Sequence, residues 1–199
     1  MARLKSGDKR SALLEAAIAE FAARGVWSTP TAAISKAAGV AEGTLFSYFA
    51  SKDVLINELY REIKRELAEV MLAAYPAQAD ARAQLEHIWN QYVGWGVAQP
   101  ARFKVMAQLR MSEQLTQDSR AAGAAPFAAL DVLARDCIAR RVIRDQPVAF
   151  IGAMLGAMAE ATMLYVAGSA PQGCLPDNAA AYDYCAAGFD TFWRGIALM

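Results

Sequence analysis

Histidine is almost missing from this sequence. The single imidazole, His87, has no Cys, Asp or second His nearby at ligand spacing, so His-rich metal sites are excluded and an ordinary helix position suits it better. Cysteine is scarce too. Cys137, Cys174 and Cys185 form no C-x-x-C pair, and an odd count fits a reducing compartment better than a disulfide framework. Only 7 Pro and 13 Gly stand in 199 residues against 44 Ala, which favours helix almost throughout and argues against a sandwich or barrel. Net charge is zero, 20 Lys+Arg against 20 Asp+Glu. No apolar run follows the opening MARLKSGDKR until helical periodicity sets in, so no secretory signal is read there and a cytoplasmic protein is expected. Catalytic sets are missing as well: no nucleophile with its base, paired carboxylates on one face or phosphate loop stands out, so no enzyme and no cofactor is expected.

What remains is a chain that is 56% hydrophobic, too apolar to stay disordered and long enough for one sizeable domain or two small ones sharing a core. Residues 148–170 carry one charge, Glu160, over a length that matches a bilayer. A central acid costs roughly 2.5 to 3.5 kcal/mol on insertion while Ala and Gly return little, so a buried helix is expected there and no membrane partner. Residues 1–66 hold ten Lys+Arg against eight Asp+Glu. The excess gathers at the front, where Arg3, Lys5, Lys9 and Arg10 face Asp8, and reads either as a short basic arm or as a solvated terminus.

Leu14, Ala17, Ile18, Phe21 and Ala22 recur at the spacing of an amphipathic helix that Gly25 ends. Thr29 then offers a cap and Pro30 a first helical position, predicting a short helix over 30–38. Gly39 supplies the positive φ of a tight turn, Val40 plugs inward, and a second short helix runs from Ala41 or Glu42 to Phe49. Two short helices around a glycine turn form a helix-turn-helix signature. Ser51 caps a long helix with Leu55, Leu59, Ile63, Leu67 and Met71 on one stripe, reaching to about residue 74 before Tyr75-Pro76. Further helices are expected at 78–98, 100–111, 117–141 capped by Thr116, and 148 to just before Gly168. A loop over 168–176 follows, then a last helix carrying Cys185, Phe189, Phe192 and Trp193.

The stretch TPTAAISKAAGVAEGTLFSYFASKDVL, residues 29–55, carries the functional signal. Its inward positions are Ile34, Ala38, Val40, Leu45 and Tyr48, with small Ser35 at the helix crossing. It leaves Thr29, Thr31, Lys36, Glu42, Gly43, Thr44, Ser47 and Lys52 outside, mostly small polar or basic, a surface that fits a major groove.

With the AAIAEFAARG helix before it, the AAGV turn, the AEGTLFSYF segment and the SKDVL opening of the next helix, the chain resembles the TetR family of bacterial transcriptional regulators over roughly its first 60 residues. The resemblance implies an all-α fold: residues 1–52 as a helix-turn-helix DNA-binding domain, the long fourth helix as linker, and residues 53–199 as a helical effector-binding and dimerisation domain. It implies that Thr29, Thr31, Tyr48 and Lys52 hold phosphates while Glu42, Gly43, Thr44 and Ser47 face base edges. Lys36 and Ala41 complete the candidate DNA-binding set. Many relatives carry a basic residue or proline where this chain has Glu42. Here the carboxylate either accepts from a cytosine amino group or caps the recognition helix.

Gly152 and Gly156 with alanines 149, 153 and 157 form a small-residue face that reads as a tightly packed helix interface. By resemblance this helix and the last one pair with their twins, so Gly152, Ala153, Gly156 and Phe189 are the expected homodimer interface and the operator a palindrome in double-stranded DNA. Trp89, Tyr92, Trp95, Phe103, Met106, Phe127 and Met158 lie on helices that in the family surround an effector cavity. They are read either as lining for a small hydrophobic or aromatic effector or as plain core. The whole reading is a ligand-responsive dimeric repressor. The alternatives are a helical small-molecule or lipid carrier without DNA binding, and a DNA-binding protein controlled by a protein partner or by none.

Overall fold

The computed structural model describes residues 6–169 and 178–198, which are almost wholly helical. The helices are α1 (Ser6–Arg24), α2 (Thr31–Ala37), α3 (Glu42–Tyr48), α4 (Lys52–Leu72), α5 (Ala81–Ala98), α6 (Pro100–Arg110), α7 (Gln117–Ala124), α8 (Ala128–Ala139), α9 (Val148–Ser169) and α10 (Asn178–Ile196). Arg3 and Lys5 of the basic arm, Cys174 and the loop expected before α10 lie outside the described residues.

The chain divides into two compact units, Met1–Arg65 with Gln99–Ala125, and Glu66–Ala98 with Pro126–Met199. This differs from a division at residue 52. The boundary falls inside α4, and α6 and α7 belong to the front unit. The reason lies in their apolar faces: Phe103, Val105, Met106 and Leu109 of α6 are buried in the unit that α1 builds with Leu13, Leu14, Ala17, Ile18 and Phe21.

Polar contacts close the front unit. Gly25, at φ +88, ends α1, and the Val26 amide donates to Gln108 Oε1 at 2.9 Å, tying the end of α1 to α6. Asn57, 7% exposed on α4, donates to the Asp53 and Gln114 carbonyls, each at 2.8 Å, and accepts from the Thr116 amide at 2.9 Å. A buried amide with three partners fixes the α6–α7 link to α4. Thr116 caps α7 as its sequence position suggests, accepting from the Ser119 amide. The single helix expected over 117–141 is interrupted by a 3-10 turn at Ala125–Phe127. Pro126 is the cause, since its ring displaces the carbonyl four residues back and it has no N–H to donate.

In the rear unit α5 packs on α9 and α10, and α9 also meets α8. Trp89 is fully buried, its indole stacked on Phe192 and tilted against Phe189. Gly188 lets α10 approach, for a Cβ there would stand 2.8 Å from Trp89 Cζ2 and 2.6 Å from Thr162 Oγ1. The chain after α8 runs back along the end of α10, where the Arg144 amide donates to the Ile196 carbonyl at 2.7 Å and the Leu198 amide to the Val142 carbonyl at 3.0 Å.

Candidate nucleic-acid interface

The helix-turn-helix rests on three fully buried side chains, Ile34, Leu45 and Phe49, with Ala38, Val40 and Tyr48 half-buried around them. Gly39, at φ +68, makes the turn, and Ser35, buried where α2 and α3 cross, returns its hydroxyl to the Thr31 carbonyl at 3.1 Å. The expected helix limits shift by a residue or two: α2 starts at Thr31, with Pro30 as the extended N-cap at φ −76 and ψ 149, and no side chain caps it.

Two expected phosphate holders have other work. Thr29 is 1% exposed, and its hydroxyl donates to the Gly25 carbonyl at 2.8 Å, so it braces the α1–α2 link rather than capping α2 or facing outward. Sequence reasoning placed it outside because threonine before proline suits a cap, but the unpaired carbonyls at the end of α1 are nearer partners. Lys52 sends its ammonium to the Thr29 carbonyl at 2.7 Å and the Trp27 carbonyl at 3.3 Å, and sits 5.8 Å over the Phe21 ring. Burial lowers its pKa, with neighbouring Asp53 opposing. Of its three N–H donors, one remains to face outward.

The other expected positions lie on α2, on α3 and at the α3 N-cap, exposed or half-buried. Thr31 starts α2 and donates to Glu42 Oε1 at 3.1 Å, a cross-link between the starts of the two helices. Glu42 therefore has a partner on α2, and the α3 N-cap, Ala41, makes no side-chain cap bond. Lys36 is exposed in the last turn of α2; Ala41, Glu42, Gly43 and Ser47 are exposed on α3, with Thr44 half-buried. A Cβ on Gly43 would meet nothing within 4 Å, and the Ser47 hydroxyl folds back to the Gly43 carbonyl at 2.9 Å. Of the basic arm, Arg10 pairs with Glu58 at 2.8 Å and lies over Phe49, so it belongs to the frame of this unit.

Sequence reasoning missed two aromatic residues. Trp27 is 51% and Phe46 44% exposed, and with Pro30, Thr31, Ser51 and Lys52 they line an open cleft of about 520 Å³. The signal was available: Phe46 stands four residues after Glu42, on the same outer stripe of α3.

Residues 13–59, from α1 into α4, match the profile of bacterial regulatory proteins, tetR family. The transcriptional repressor KstR2 of Rhodococcus jostii is 35% identical over 82 residues, 41% of this chain and 40% of that protein. A crystal structure of a tetR family transcription regulator from Shewanella sp. PV-4 superposes with a TM-score of 0.85 at 26% identity, covering 96% of this chain and 99% of that one. The helix-turn-helix stretch is that of the TetR family of bacterial regulatory proteins, and the whole chain shares the fold of TetR regulators. A TetR family regulator from Marinobacter aquaeolei shares the fold at a TM-score of 0.85 and 20% identity, covering 97% of each chain. KstR2 of Mycobacterium tuberculosis is 43% identical over 53 residues, 27% of this chain and 26% of that protein. The chain thus spans less than half the length of the curated TetR relatives it matches.

The expected regulatory residues of the TetR reading fall in several places. Phe103 and Met106 are buried in the front unit, while Trp89, Tyr92 and Trp95 are buried in the rear one with Phe127 and Met158 half-buried. The polar atoms of the three buried aromatics are partnered: Trp89 Nε1 donates to the Cys185 carbonyl at 3.0 Å, Trp95 Nε1 to Glu66 Oε1 at 3.0 Å, and the Tyr92 hydroxyl to Glu160 Oε1 at 3.4 Å. The last bond explains the acid in the middle of apolar α9. A cleft of about 330 Å³ in the rear unit is lined instead by Tyr75, Ala77, Ala81, Gln84, Ala129, Val132, Leu133, Asp136, Cys137 and Arg140, and by none of those seven. His87 lies edge-on to Tyr75, its Nε2 buried without a hydrogen-bond partner.

Of the four dimer positions, Gly152 and Ala153 are exposed and Gly156 is half-exposed on α9, and a Cβ on either glycine would meet nothing within 4 Å. These small residues therefore make room for nothing inside their own chain. Phe150, Met154, Leu164 and Tyr165 are also exposed on α9, the last edge-on to Tyr184 of α10. Val148–Gly168 is long and apolar enough to cross a membrane, with 17% of it buried. Phe189 differs from the other three: it is 1% exposed, packed on Trp89 beneath the Arg82 guanidinium, and belongs to the core because its position on α10 faces α5.

Proposed function

We propose that this protein is a dimeric transcriptional repressor that binds a palindromic operator in double-stranded DNA and is released by a small hydrophobic effector. The observation that carries the reading is the exposed side of α2 and α3, where Lys36, Glu42, Gly43 and Ser47 are exposed and Thr31 and Thr44 half-buried around the buried Ile34, Leu45 and Phe49, within the stretch that matches the TetR family. Small residues on α3 permit close approach of base edges, and Lys36 with the remaining Lys52 donor supplies positive charge for phosphates. Tyr48 stands at the end of α3, half-buried, as a further phosphate position.

Dimerisation follows from the apolar outer face of α9, which water leaves uncovered in a single chain. Gly152, Ala153 and Gly156 let a second copy of α9 approach closely, and a twofold dimer sets two recognition helices about 34 Å apart for successive major grooves. Phe150, Met154 and Leu164 then sit in a protein interface, which explains the apolar length of α9 without a bilayer. The effector is assigned to the rear unit, where the cleft beside Tyr75, Leu133 and Cys137 is of a size that takes a small apolar molecule. α4 contributes residues to both units, so an effector that favours a different setting of α4 changes the spacing of the recognition helices. Moving a 1:99 balance to 99:1 takes about 5.5 kcal/mol of differential binding.

The test is selection of bound sequences from random duplex DNA at two salt concentrations, with wild type, Thr44→Ala and Tyr48→Ala. A palindrome whose enrichment collapses in the variants is expected. Salt-sensitive binding without a motif reduces the reading to a basic arm on DNA, and no binding replaces it with that of a helical small-molecule carrier.

A further inference from the structure

The outer stripe of α3 is poor in polar atoms that a base edge can use. Glu42 is engaged by Thr31, Gly43 has no side chain, and the Ser47 hydroxyl donates to the Gly43 carbonyl. Between them stands Phe46, 44% exposed, one turn from Glu42 and three residues from Gly43. Trp27, 51% exposed, lines the same open cleft as Phe46 and Lys52. A phenyl ring has neither donor nor acceptor, and leaving two large rings in water forgoes apolar burial. The one apolar group that distinguishes a base pair in the major groove is the C5-methyl of thymine.

We propose that Phe46 is a specificity-determining residue that takes the C5-methyl of one thymine in each half-site, with Trp27 covering the side of that contact. The inference rests on the DNA-binding reading and adds what that reading lacks, a base at a defined residue. Three features commit the occupant to DNA rather than to another apolar surface. Phe46 is continuous with the exposed stripe of Glu42, Gly43 and Ser47; the Gly43 gap lets a base edge come close; and Lys52 places positive charge on the rim of the same cleft, complementary to the phosphates that flank any base in the groove.

The experiment starts from the selected palindrome and replaces its thymines one symmetric pair at a time by deoxyuracil, which removes only the methyl. Binding is measured for wild type and for Phe46→Ala, whose exposed site permits folding, with helicity read by circular dichroism as the control. One thymine pair is expected to weaken wild-type binding about fourfold for each methyl lost, the scale of one buried carbon. Phe46→Ala is expected to bind the thymine operator as weakly as wild type binds the deoxyuracil one, and to be indifferent to the replacement. 5-Methylcytosine at that position is expected to restore part of the wild-type affinity lost on changing thymine to cytosine. A palindrome that wild type binds equally with thymine or deoxyuracil throughout, or one in which Phe46→Ala keeps the full methyl effect, overturns this inference and leaves the DNA-binding reading standing. Failure to select any duplex overturns both.

Discussion

The outer faces of α3 and α9 are both built around glycine, yet they meet water with opposite chemistry. On α3, exposed Glu42, Gly43 and Ser47 flank a single exposed aromatic ring, Phe46. On α9, Gly152, Ala153 and Gly156 share the helix with exposed Phe150, Met154, Leu164 and Tyr165, large apolar side chains whose exposure to water costs free energy. The contrast teaches that small residues mark close approach, while the side chains beside them say what approaches. Polar neighbours suit a hydrated, charged partner; apolar neighbours suit a second apolar helix.

The contrast breaks most visibly at Gly156. Because a Cβ there meets nothing within 4 Å, Gly156→Trp leaves the single chain's packing intact but fills the gap a partner helix needs. We expect dimer dissociation to rise at least about 100-fold, roughly 3 kcal/mol, with unchanged helicity. Light scattering that still shows a dimer at micromolar concentration removes α9 from the interface.

A second test separates the surfaces from the interior beneath them. On α4, Lys64 packs beside Gly123 in the front unit, and burial, with the Arg110 charge adding to it, pushes its pKa down to about 8 from the ordinary 10.5. The unfolded chain binds this proton more tightly than the folded one between those values. Stability linked to Lys64 is therefore fully present above 10.5, falls as the pH drops toward 8, and is absent below it. Urea unfolding should show stability rising from about pH 8 toward pH 10, by up to about 3 kcal/mol over the whole window, and Lys64→Met should flatten the rise. A slope that survives in Lys64→Met assigns the titration elsewhere.

The residues that sequence could place are those whose role is local. Gly25 and Gly39 supply positive φ where the pattern demands a turn, Thr116 and Ser51 cap the helices that follow them, and Ile34 and Leu45 are buried at the helix-turn-helix positions that periodicity assigns. What escaped depends on partners distant in the chain. Thr29 and Lys52 read as surface residues until the end of α1 is folded against them, since nothing in residues 27–31 alone reveals which carbonyls need donors. Asn57 holds the α6–α7 link through Gln114, 57 residues later. Phe103 and Met106 carry helical periodicity that fits any apolar neighbour, so the spacing did not say which unit they join. Pro126 is itself a legible break, although the helix expected over 117–141 runs through it.

Glu42 offers the smallest energetic effect and the sharpest reading of the α3 face. Its bond to Thr31 joins two exposed side chains, so Glu42→Ala is expected to change stability by no more than about 0.5 kcal/mol. On DNA the consequence is larger. Removing the carboxylate relieves its repulsion from phosphates, which favours binding to all sequences, and frees the Thr31 hydroxyl to turn toward the backbone. If the carboxylate also accepts from a cytosine amino group, base preference shifts at one position in each half-site while the rest of the palindrome persists. Selection with Glu42→Ala against wild type distinguishes the two effects: uniformly tighter binding with an unchanged motif makes Glu42 a strut between α2 and α3, whereas a single altered column makes it a reader of sequence beside Phe46.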